Sequence, residues 1–294
     1  MESIHLSYGG TTAEIQPRGA QIVSFRGTDG REVIWQGDPK VWGGHAPILF
    51  PVCGSVRDGR VLIAGESYPM PKHGFVRDTQ FEVSHVGDDF VDLVMTENEL
   101  TKKMYPFDFA LHVTYRLFEN GYTTTFLIEN RSDRVMPCCV GGHPGFNVPM
   151  EAGAKYEDYD IVFAKEENGE NSLAPDGDLI VGTETLKELR GGRVIPLDHA
   201  LFDERDALIL TGLKSRSVEL KHRVSGRGLR FDFPKIEVLA VWSKPGMKAD
   251  YVCLEPWHGM PGRAQDSDNF EDKPHVTLLE PGKVYTTWFT AELI

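Results

Sequence analysis

Three short stretches of this chain concentrate side chains that can move protons or hold a polar ligand. The first runs from Pro47 to Arg60 and resumes from Pro71 to Asp78, carrying Arg57 and His73. The second is Gly141-Gly142-His143-Pro144-Gly145-Phe146-Asn147. The third is Cys253-Leu254-Glu255-Pro256-Trp257-His258-Gly259. Each closes an apolar run with Gly or Pro, so each is expected in a loop at the end of a strand, where a rigid sheet presents binding residues. His143 lies between Gly-Gly and Pro-Gly, which permit sharp turns and close approach of a ligand. Histidine is the usual acid or base near neutral pH, although a turn-capping role would suit the same sequence. Glu255 follows Tyr251-Val252-Cys253-Leu254. At a buried strand end such a carboxyl can have its pKa raised or serve as a base; an exposed strand-end Glu is the plainer alternative. Trp257 and His258 beside it favour the first, because an aromatic plate next to a carboxylate suits a sugar ring.

Arg57 reads as a donor to ligand hydroxyls, or else as a surface ion pair with Asp58 or Asp78 that would contribute little. His73 reads as a ligand contact or a satisfied structural histidine. Among the other tryptophans, Trp242 in Val241-Trp242-Ser243 is the best candidate for a ligand plate, and Trp35 and Trp42 read as core or rim. The chain has no G-x-S-x-G elbow, Walker A loop, H-E-x-x-H or G-x-G-x-x-G motif. His73, His143, His258 and Glu255 could gather around a metal, but nothing in their spacing favours it, and no metal or cofactor is expected.

The elements that must position these residues follow a period of two. In Phe109 to Leu117 the odd positions are apolar and the even ones mostly polar or small, the pattern of a half-buried strand. Glu119-Asn120-Gly121 signals a hairpin, and the return strand places Tyr122, Thr124, Phe126 and Ile128 on one face. Further short runs lie at 21–25, 33–35, 81–86, 90–95, 159–163, 207–210, 217–220, 228–233, 238–242, 251–254 and 286–293. Many short strands divided by turns predict an all-β sandwich or barrel. Helix is expected only over 96–104, opened by a Thr96 cap, and as a short turn at 186–190. The polar stretch 165–193 reads as an irregular excursion with few strands of its own. No linker or repeat divides residues 1–294, which are expected to form one domain.

The chain has 294 residues, and 31 Lys plus Arg against 44 Asp plus Glu leave a formal charge of −13. That balance offers no electrostatic footprint for nucleic acid or anionic lipid. No uncharged apolar run is long enough for a membrane span, and MESIHLSYGG lacks the basic and apolar regions of a secretory signal. Cys53, Cys138, Cys139 and Cys253 form no C-x-x-C pair. They read as reduced, mostly buried thiols of a cytoplasmic protein.

At the three patches the chain resembles the aldose 1-epimerase, or galactose mutarotase-like, family. The likeness is greatest to the branch around the lactose-operon mutarotase-like proteins and the hexose-6-phosphate epimerases. It extends over nearly the whole chain, through Ile22 to Phe25, Trp35 to Asp38, Pro47 to Phe50, Tyr105-Pro106-Phe107, Asn130, Gly142 to Asn147 and Leu254 to Trp257. The resemblance implies a β-supersandwich of two large, mostly antiparallel sheets and a cofactor-free isomerase that interconverts sugar anomers. It implies His143 as general acid, Glu255 as general base, His73 near the ring oxygen and Arg57 on the sugar. Asp206, with Asp203 as alternative, stands for a hydroxyl-binding aspartate. Pro-Trp-His-Gly after Glu255 departs from the Thr-Gln and Pro-Asp segment of galactose mutarotases, which bears on sugar specificity. The acid role would require His143 to be protonated near pH 7, with a neighbouring carboxylate or carbonyl holding its pKa up. The expected partner is a monosaccharide, free or phosphorylated. Arg57, Lys72 and Arg77 could converge on a phosphate, or could face solvent beside Asp58 and Asp78. A non-catalytic sugar sensor with the same pocket is the alternative from another class. A glycoside hydrolase would need a second carboxylate of comparable context.

Overall fold

The computed structural model describes residues 2–294, and they are nearly all β. Two large antiparallel sheets dominate. The nine-stranded sheet runs, in spatial order, through 194–196, 159–163, 217–222, 228–232, 284–293, 121–130, 109–118, 90–96 and 82–86. The second sheet orders strands 182–185, 170–173, 207–210, 238–242, 251–258, 140–142 and 48–49, and strand 145–147 also pairs with 251–258. The periodicity predicts a sandwich or barrel, and the family resemblance implies the two-sheet supersandwich found here.

The central hairpin shows how the sequence specifies it. Phe109–Phe118 pairs with Gly121–Asn130 along ten residues, from Gly121↔Phe118 to Asn130↔Phe109. Glu119 and Asn120 make the turn, and Asn120 takes the left-handed conformation (φ 60°) that asparagine tolerates. Tyr122, Thr124, Phe126 and Ile128 are buried on one face, as the alternation requires. Tyr122, Phe126 and Ile128 join a continuous core with Leu111, Val113 and Tyr115.

Some local expectations yield to the sheets. Thr96 does not cap a helix, because it is the last residue of strand Phe90–Thr96 and pairs with Ala110. Asn98 instead accepts from the amides of Leu100 and Thr101, and only one 3-10 turn, Thr101–Lys103, follows. Residues 186–190 form a turn without helix. Residues 33–35 contribute only the isolated bridge Ile34↔Phe146. The excursion 165–193 contains a hairpin, Glu170–Leu173 with Gly182–Thr185, at the edge of the second sheet. All four cysteines are free and buried. Among the described residues no helix is long and apolar enough to cross a membrane.

Candidate active site

Tyr251–His258 is a single eight-residue strand, so Glu255 lies inside the second sheet rather than in a loop beyond it. Seven of its eight residues are buried, which means both faces are covered. Val252 and Leu254 enter the sandwich core, whereas Tyr251 and Cys253 pack against Trp35, Trp42 and Trp242 on the other face. Glu255 and Trp257, two and four residues beyond Cys253, share that second face and line a cavity of about 300 Å3.

The neighbouring strand brings His143 to the same place. Gly141 pairs with Trp257 and Gly145 with Cys253. Continuing this register across the break at His143-Pro144 puts His143 opposite Glu255. His143 Nε2 lies 3.2 Å from Glu255 Oε2. The contact lacks hydrogen-bond alignment, so Glu255 Oε2 is buried without a hydrogen-bond partner; His143 Nδ1, on the other side of the ring, is likewise buried without one. Gly145 is required here, since a Cβ would meet the Trp42 ring at 2.9 Å. Trp42 in turn stacks on His143 with centroids 5.0 Å apart.

His73 reaches the cavity from the first patch. Its Nδ1 accepts the Gly54 amide at 3.1 Å, which fixes the neutral ring as the Nε2–H tautomer. Its own amide donates to Gly54 O at 2.9 Å. These bonds hold His73 in a left-handed conformation (φ 67°) that costs a non-glycine residue about 1–2 kcal/mol. The ring packs edge-on to His143 and Trp257. Asp206, Trp242 and Trp257 also line the cavity. Asp203 does not, and its carboxylate accepts the Gly246 amide at 2.7 Å instead.

Arg57 lies outside the cavity. Its guanidinium donates to Asp268 Oδ1 at 2.6 and 2.8 Å, to Asp266 O at 2.8 Å and to Ala264 O, pinning the 264–268 loop. The partner is Asp268, neither Asp58 nor Asp78. Lys72, Arg77 and Lys244 are the cations that line the cavity. Trp42, expected at the core or rim, lines the cavity, as do Lys244 and the Asp176-Gly177 turn, which the sequence pattern does not single out. Gly177 has φ 63°, and a Cβ there would strike Lys72 Nζ and approach Asp206 Oδ2 to 2.8 Å. His258 is turned away; its Nε2 meets the Thr277 hydroxyl at 2.7 Å.

Burial governs the electrostatics. Glu255 is 2% exposed, and desolvation pushes its carboxyl well above the usual carboxylate range, with the Lys72 charge acting against the shift. Desolvation pushes His143 down to about 3, and the Lys72 and Arg77 charges add to the fall. His73 falls well below its ordinary value for the same reason, with His143 contributing. The imidazolium expected at His143 is therefore opposed by its surroundings, because loss of water and the nearby cations both disfavour the charged ring. A larger groove of about 660 Å3 lies elsewhere, lined by Asp29, Arg31, Met150, Glu151 and Arg227 among others. Arg31 pairs with Asp29 and Arg227 with Glu151, and neither His143 nor Glu255 borders it.

The cavity thus holds a buried carboxyl and imidazole in contact, with the rings of Trp42, Trp242 and Trp257 around them. The chain belongs to the aldose 1-epimerase family, whose model matches residues 2–291. It is 36% identical over 277 residues to the plasmid and chromosomal LacX proteins of Lactococcus lactis subsp. lactis, covering 92% of each chain. A galactose mutarotase related enzyme from Lactobacillus acidophilus superposes with a TM-score of 0.92 at 28% identity, over 100% of this chain and 97% of that one. A galactose mutarotase-like protein from Lactobacillus casei gives 0.92 at 29% identity, with both chains fully covered. Membership supports a sugar epimerase or mutarotase role for the chain.

Proposed function

We propose that this chain is a cofactor-independent aldose 1-epimerase that interconverts the α and β anomers of a hexose, with His143 and Glu255 as its proton-transfer pair. The observation that carries the reading is the 3.2 Å contact between His143 Nε2 and Glu255 Oε2 at the wall of a cavity of about 300 Å3. Ring opening removes the anomeric hydroxyl proton and adds one to the ring oxygen. The C1–C2 bond rotates, and closure on the other face reverses both transfers. An acid and a base held against one small cavity suffice. Glu255 as carboxylate takes the hydroxyl proton, and His143 as imidazolium delivers one to the ring oxygen. Moving the Glu255 proton to His143 prepares this state without changing the net charge of the pair. His73 donates from Nε2–H, Asp206 accepts from sugar hydroxyls, and Trp42, Trp242 and Trp257 supply ring faces.

A second reading concerns the substrate. Lys72 and Lys244 line the cavity and form no ion pair among the described residues, and Arg77 reaches only the exposed Asp78, at 3.7 Å. Three cations at the cavity against the carboxylates of Asp176 and Asp206 favour a phosphorylated hexose over a free one, against the −13 charge of the whole chain. Anomer exchange followed by NMR for glucose, galactose and their 6-phosphates, with wild type and Glu255→Gln, tests both readings. Acceleration lost in the variant supports the epimerase. Saturable binding without acceleration on any sugar would replace it with the sensor. A phosphate preference that survives Lys72→Ala with Lys244→Ala would refute the second reading.

A further inference from the structure

Cys253 lies two residues before Glu255 on the same face of its strand, and it is free and fully buried. One donor atom each from His143, Cys253 and Glu255 lies within 4.8 Å of the other two. Glu255 Oε2, in a residue only 2% exposed, has no hydrogen-bond partner. We propose that His143, Cys253 and Glu255 form a binding site for a thiophilic divalent cation, Zn2+ foremost, and that its occupancy stops anomer exchange. The inhibitory half rests on the acid–base reading given above; the binding half does not.

An imidazole nitrogen, a thiolate and a carboxylate are a donor set that suits Zn2+ or Cd2+ and disfavours Mg2+ and Ca2+. Bonds of about 2.0–2.3 Å in a tetrahedral site separate the donors by about 3.3–3.8 Å. The His143–Glu255 pair at 3.2 Å is already near that spacing. The Cys253 sulfur needs a side-chain adjustment of roughly 1 Å to complete it. Thiol and carboxyl each release a proton to water on binding, and the two resulting negative charges neutralise the cation. A net-neutral cluster suits this site, since Trp35, Trp42, Trp242 and Tyr251 surround Cys253. His143 and Glu255 line the cavity, so an ion held between them would border it. With its imidazole nitrogen and carboxylate oxygen bound to the ion, the pair can neither give nor take the sugar's protons.

The test is a Cd2+ titration of the full chain, read by the ultraviolet charge-transfer band of the Cd2+–thiolate bond, beside anomer exchange with added Zn2+. Wild type is expected to gain one equivalent of the band, and Zn2+ but not Mg2+ is expected to stop exchange. Cys253→Ala should lose the band and keep its basal rate. It should also need at least about tenfold more Zn2+ for inhibition. Cys253→Ser serves if the alanine variant does not fold. No band in wild type, or the same band in both variants, would overturn the site. A Cys253-dependent band with undiminished exchange would overturn the inhibition alone. If the chain accelerates no exchange, the acid–base reading fails and the band still decides the cation site.

Discussion

Replacing Glu255 with Gln should make the protein inactive and more stable at the same time. Glutamine keeps the shape of the carboxyl and matches its protonated form, but it cannot take a proton from a sugar hydroxyl. A positioned base is worth about 10²–10⁴ in rate, or roughly 3–5 kcal/mol of barrier, so turnover should fall by at least about two orders of magnitude. The stability effect follows from burial. Native Glu255 holds its proton more tightly than the unfolded chain does, because desolvation raises its pKa. Between the ordinary carboxyl range and that raised value the native state binds more protons, so wild-type stability falls as pH rises through the window. The glutamine variant has no such fall. Its Tm should match wild type near pH 4 and exceed it progressively toward pH 8. Each unit of elevation is worth about 1.4 kcal/mol, or roughly 2 °C in a chain of this size. Anomer exchange by NMR and calorimetric melting at several pH values measure the two halves. Wild-type turnover would remove Glu255 from the chemistry. An inactive variant that melts earlier than wild type at neutral pH would refute the electrostatic argument and attribute the loss to damage.

His143→Asn should lower kcat by at least about a hundredfold with little change in KM, since it removes a transfer made in the transition state; unchanged kcat in the same assay would clear His143 of that role. Arg57→Ala should leave kcat/KM within about twofold and lower Tm by about 2 °C, the worth of roughly 1 kcal/mol from a part-exposed clasp on Asp268; a large rise in KM would return Arg57 to the sugar. Asp206→Asn should raise KM about tenfold, as for the loss of a hydrogen bond to a charged group, while Asp203→Asn leaves it alone; binding curves for the pair decide which aspartate faces the ligand.

The hairpin Phe109–Phe118 with Gly121–Asn130 was legible because one buried face makes alternation unambiguous. His143 and Glu255 were legible as residues because glycine and proline punctuate the apolar runs around them. Their placement was not. Pro256 reads as the end of a strand, since proline cannot donate to a ladder. Yet the strand continues to His258, because the missing donor falls where the neighbouring ladder is broken. The Leu254 amide points to that side and bonds Pro144 O at 3.2 Å, and the next position facing that way is 256. Arg57 shows a different limit. Its partner Asp268 is 211 positions away, and no local pattern distinguishes an arginine that clamps a loop from one that clamps a sugar. Trp42 reads only as core or rim and Pro175-Asp176-Gly177 only as a turn, because nothing local to either residue says which cavity it will face.

The protonation of the His143–Glu255 pair bears on why so buried an arrangement would serve the proposed reaction. Two states hold the same proton: a carboxyl with neutral imidazole, and a carboxylate with imidazolium. Burial favours the first in the free protein, as the raised Glu255 and lowered His143 indicate. Opening a sugar ring converts the second state into the first, because the carboxylate gains the hydroxyl proton and the imidazolium loses its own. The state favoured by the dry cavity is thus the one that accompanies the open-chain aldehyde, the least stable form of the sugar. The charged state accompanies the cyclic sugar, whose hydroxyls can solvate the carboxylate in place of water. The protein's preference and the sugar's preference then oppose each other, which narrows the free-energy gap between ring and chain forms and lowers the barriers that connect them.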